Sequence, residues 1–176
     1  MACFWDKDDG GKTKKAMLSF KRDQLLYDIK NYAYIEGSLL TDAPPHVRHT
    51  VQDVGEEGNV DRVTRVLNLS VCKCREMLYP YTKREITKAV LDDRLKEVKV
   101  YGIALDLPAT FSQTSLFLLE KLVHEYLVCT ALADWLSITH AEKAKTWQEK
   151  AGAAETEAKN LLRSRMNRLR RKKHWV

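Results

Sequence analysis

Residues 113–138 read QTSLFLLEKLVHEYLVCTALADWLSI. Leu116, Leu119, Leu122, Val123, Tyr126, Leu127, Ala131, Trp135 and Ile138 recur at spacings of three and four. That period predicts an α-helix over about 113–138, and Ser112 to Ser115 supply its N-caps. It is the most apolar stretch of the chain, so it is expected at the centre of an all-α fold. Ser137 to His140 form a short connection. Beyond it, residues 141–171 read AEKAKTWQEKAGAAETEAKNLLRSRMNRLRR, a second long helix of about 45 Å at 1.5 Å per residue. Ala144, Ala151 and Ala158 repeat every seven residues beside Trp147, a small-residue seam suited to close helix packing. Leu161, Leu162, Met166 and Leu169 are the apolar positions of its second half, which is expected to project from the body.

Upstream, the stripe Leu25, Leu26, Ile29, Tyr32, Ala33 and Leu40 predicts a helix over about 19–39. Pro44-Pro45 ends that pattern and opens a short helix with Val47, Val51 and Val54 on one side. Asn59 is an N-cap for a helix over about 60–78, closed by Tyr79-Pro80. Thr82 and Glu85 form a capping box for another, to about residue 96. The period then changes. Val98, Val100, Tyr101, Ile103, Leu105 and Leu107 alternate at period two up to Pro108, a strand. A lone strand needs a partner, either a hairpin within the subunit or the edge of a neighbour. Residues 1–18 mix Asp, Gly and Lys around Gly10-Gly11 and read as an arm. Its Phe4 and Trp5 either dock on a neighbour or fold back. The expected organisation is an arm (1–18), a helical body (19–140) and a long C-terminal helix (141–176). The architecture is a bundle of about five helices with one short strand or β-hairpin.

The 176 residues carry a net charge of +6, unevenly distributed. Arg163, Arg165, Arg168, Arg170, Arg171, Lys172 and Lys173 form a basic tip without a single acid. Without those seven cations the rest of the chain stands at −1. A nucleic-acid binder that uses its whole surface spreads its charge over a face. Cations at a helix C-terminus oppose the macrodipole, but seven exceed what capping needs. DNA phosphates or an acidic protein surface are the candidate contacts. Met166, Leu169 and Trp175, set among the cations, suit a protein groove as well.

Cys72 and Cys74 lie about 200° apart on a helix and cannot easily share a metal or a disulfide. With Cys3 and Cys129 they read as reduced thiols of a protein made in a cytoplasm. The start of the chain has no cationic-then-apolar leader, and no run is long enough to cross a membrane. His124 on the central helix reads as a structural hydrogen-bonding residue, because the sequence nominates neither a nucleophile nor an orienting acid for it. His46 and His49 read as ordinary polar residues with no third ligand indicated, and Asp92-Asp93 as solvated. The nucleotide-loop, zincin and nucleophile-elbow patterns are absent. The expectation is a non-enzyme with no cofactor and no metal.

From Tyr101-x-Ile103-x-Leu105-x-Leu107-Pro108, through His124-Glu-Tyr126, Asp134-Trp135 and Ala144-x-x-Trp147, to the Arg-rich end, the chain resembles a known family. It is similar to the head-to-tail connector adaptors of tailed bacteriophages, of the crAss-like and podovirus type. The likeness covers about 70 residues and rests on the order and spacing of the motifs; the longer N-terminal arm departs from it. It implies a structural virion protein of the neck. Twelve subunits would form a homo-oligomeric ring below the portal, continue the DNA channel and meet other connector or tail proteins, with no membrane. The resemblance implies that Ala144, Trp147, Ala151, Ala158, Leu161, Leu162, Met166, Leu169 and Trp175 dock on the portal protein. Arg163 to Lys173 would form the docking tip, and Val100, Tyr101, Ile103, Leu105 and Leu107 an inter-subunit strand. The alternative is a small helical nucleic-acid-binding protein that uses the Arg/Lys run, with non-specific DNA contact.

Overall fold

The computed structural model describes residues 3–8, 13–41, 44–83 and 98–164. It is mainly helical. Strands β1 (Cys3–Asp8) and β2 (Thr13–Lys21) precede helices α1 (Arg22–Ser38), α2 (Pro45–Gln52) and α3 (Glu57–Met77). Strand β3 (Val100–Pro108) then leads to α4 (Gln113–Thr139) and α5 (Ala141–Ser164).

The expected arm is corrected by the sheet. Its backbone forms an antiparallel β1-β2-β3 sheet with β2 in the middle, so β1 folds back on its own subunit. The β1–β2 register slips between Phe4 and Asp6. β2 pairs with β3 along its whole length, from Thr13 opposite Pro108 to Lys21 opposite Val100. The partner of the strand Val100, Tyr101, Ile103, Leu105 and Leu107 is therefore β2 of the same chain, which corrects its assignment to a neighbouring subunit. The outer edge of β3 is also engaged from within: the Asp106 N–H donates to the Tyr81 carbonyl, and Arg75 Nη2 donates to the Gly102 carbonyl at 3.0 Å. The alternation itself holds, with Tyr101, Ile103, Leu105 and Leu107 buried beside Ala16, Leu18 and Phe20. One sheet face thus belongs to the core and the period-two pattern follows from it.

α1 starts at Arg22, later than expected, because β2 runs on through Lys21. Leu25, Ile29, Ala33 and Gly37 form its buried row. A Cβ at Gly37 would lie 3.0 Å from the Arg48 carbonyl oxygen, so the glycine lets α2 approach closely. Arg22 is buried and donates through Nε and Nη2 to the Thr64 hydroxyl of α3. α2 begins at Pro45 as expected, and Val51 and Val54 are buried below it. α3 begins before Asn59. The Asn59 amide donates instead to the Asp53 carbonyl at 2.8 Å and latches the short 3-10 turn Asp53–Gly55. Thr82 donates to the Arg75 carbonyl at the end of α3. The helix expected from Thr82 to about residue 96 falls largely outside the described residues.

α4 holds the centre, packed against α5, α3, α1, α2 and the sheet. Its cap is as expected: Ser112 Oγ accepts the Ser115 N–H at 3.1 Å. Ser112→Ala is expected to cost about 1 kcal/mol, read as a lower urea midpoint with unchanged slope. An unchanged midpoint would remove the capping role. Trp135 Nε1 donates to the Val51 carbonyl at 2.9 Å and pins α2 to α4.

Candidate docking interface

The contact expected from the sequence lies on the last helix, so α5 is the element to build from. One residue, His140, separates α5 from α4. A connection that short makes the two helices antiparallel neighbours. The seam is consequently filled by the chain itself. Trp147, Ala151, Ala154, Ala158 and Leu162 are buried, and Ala144 and Leu161 are half-buried against the same core. As far as Leu162 this corrects the docking role of the seam and the expected projection, because the partner helix that the alanines accommodate is α4; the expected projection beyond Ser164 lies outside the described residues. Met166, Leu169 and Trp175 lie outside the described residues, as do Arg165, Arg168, Arg170, Arg171, Lys172 and Lys173. Of the basic tip, Arg163 is described, and it is exposed.

α1 completes the hold on α5. Its residues Asp28, Tyr32 and Glu36 recur every four positions and face α4 and α5 in turn. Asp28 Oδ2 lies 2.8 Å from His124 Nε2, with both side chains about a quarter exposed. Tyr32 packs on the Trp147 ring at 5.0 Å between centroids. The Glu125 carboxylate, ahead of burial, raises the Tyr32 phenol above its ordinary pKa. Glu36 Oε1 accepts the Trp147 indole N–H at 3.1 Å. Lys143 Nζ stands 3.2 Å from Glu36 Oε2, an ion contact whose angle falls outside hydrogen-bond geometry. Lys150 Nζ lies 3.9 Å above the Trp147 ring, a cation–π contact. Trp147 is thus enclosed by α1 and by its own helix.

At the far end of α5 a pocket of about 250 Å³ opens between Met77, Tyr79, Tyr81, Lys159, Leu162 and Arg163. It combines two aromatic rings with two cations beside the last described turn of α5. Lys159 is also paired with Glu155 one turn back.

The remaining candidates are placed as follows. His124 is tied to Asp28 and lies 6.2 Å from the Phe20 ring. His46 and His49 are exposed on α2. No three His, Cys, Asp or Glu side chains among the described residues gather closely enough to hold a metal. No helix among them is long and apolar enough to cross a membrane. Cys72 is exposed while Cys74 and Cys129 are buried, as the angular separation of the first two required. Burial, then Glu155 and Cys72, pushes the Cys74 thiol up to about 12. Burial, then Glu125, does the same for Cys129, again to about 12. Raised values keep both thiols protonated near neutrality, and the thiolate is the nucleophile. A short iodoacetamide pulse at pH 8 is therefore expected to alkylate Cys72 and to leave Cys74 and Cys129 unmodified until denaturant is added. Peptide mapping that found all three modified in the native protein would reject their burial.

The sequence reading overlooked the outer face of α1. Tyr27 and Tyr34 are 64% and 62% exposed, and Ile35 and Leu39 are exposed beside them. The signal was present as apolar residues lying off the core stripe. The chain matches no protein-family model, no curated protein and no solved structure.

Proposed function

We propose that the chain is a non-enzymatic structural subunit, a ring-forming connector adaptor of a tailed-phage neck. It attaches to the portal through the end of its C-terminal helix. The observation that carries this reading is the anchoring of α5 from Trp147 to Leu162. That packing sets the exposed Arg163 at the described end of α5, and six further cations follow it in sequence. In this reading the docking segment is residues 163–176 and not the whole helix. Electron microscopy of the purified chain is expected to show closed rings. Mixing with the portal protein of a crAss-like or podovirus-type phage is expected to yield a complex that deletion of residues 165–176 abolishes. Isolated monomers, or portal binding indifferent to that deletion, would overturn the reading.

A second reading is favoured by the pocket itself. Tyr79 and Tyr81 beside Lys159 and Arg163 suit a stacked base with its phosphate. A single-stranded oligonucleotide should then bind with log affinity falling by about 0.7 per phosphate contacted for each unit of log salt. Binding unaffected by Arg163→Glu and Tyr79→Ala would remove this reading.

A further inference from the structure

We draw no further inference here: the strongest candidate, the exposed tyrosine face of α1 at Tyr27 and Tyr34, carries nothing, because nothing in the structure shows what covers it.

Discussion

Leu18→Ala is expected to destabilise the protein by about 2–5 kcal/mol. Leu18 is fully buried on the middle strand of the sheet, beside Ile103 across the β2–β3 ladder. Truncation removes its transfer free energy and leaves a cavity that β2, hydrogen-bonded on both sides, cannot collapse to fill. A domain of this kind has about 5–15 kcal/mol in total, so one side chain would consume a large part of it. Deletion of residues 1–21 goes further. It strips β3 of its partner, uncovers Tyr101, Ile103, Leu105 and Leu107, and is expected to yield insoluble chains. Were residues 1–18 a solvated arm, both changes would be nearly silent, within about 0.5 kcal/mol. Urea unfolding followed by tryptophan fluorescence separates the two outcomes. A midpoint for Leu18→Ala within error of wild type would reject the placement of β2.

The position of β2 also shows why part of this fold escapes the sequence. Ala16, Leu18 and Phe20 alternate with Met17, Ser19 and Lys21, which is strand periodicity. The run is short, lysine-flanked and next to Gly10-Gly11, and a strand has little intrinsic preference until its partner is present. That partner lies about eighty to ninety residues away, in β3. By contrast, the signals for α4, α2 and β3 are local: the Ser112 cap, the Pro44-Pro45 pair and the alternation closed by Pro108. Each appears where expected. The heptad alanines of α5 are an intermediate case. They ask for a close helix but not for whose helix. The decisive sign was the connection at His140, too short to let α5 leave α4. As for the candidate site, the cationic end was legible as charge. The tyrosine face of α1 was not, because an exposed apolar residue becomes informative only once the buried stripe of its helix is known.

Trp147 measures how firmly α5 is held, and so whether the chain presents its C-terminal end at a fixed place. Trp147→Ala is expected to cost about 3–5 kcal/mol. At about 2–4 °C per kcal/mol for a chain of this length, the melting temperature should fall by roughly 6–20 °C. Two losses contribute. The indole is 3% exposed, packed on the Tyr32 ring of α1 and capped by Lys150. Its N–H also serves the Glu36 carboxylate, which is 14% exposed. Trp147→Phe separates them. It keeps most of the ring volume, leaves Glu36 one donor short and should cost about 1–3 kcal/mol. Combining it with Glu36→Gln closes a double-mutant cycle, whose coupling term of about 0.5–3 kcal/mol reports the hydrogen bond with its electrostatic setting. A projecting helix gives the opposite pattern. There Trp147 would stand in solvent, its loss would cost less than about 0.5 kcal/mol, and the partner-bound form alone would feel the substitution. A large effect on the isolated chain therefore assigns Trp147 to anchoring. The attachment proposed above then rests on residues other than Trp147.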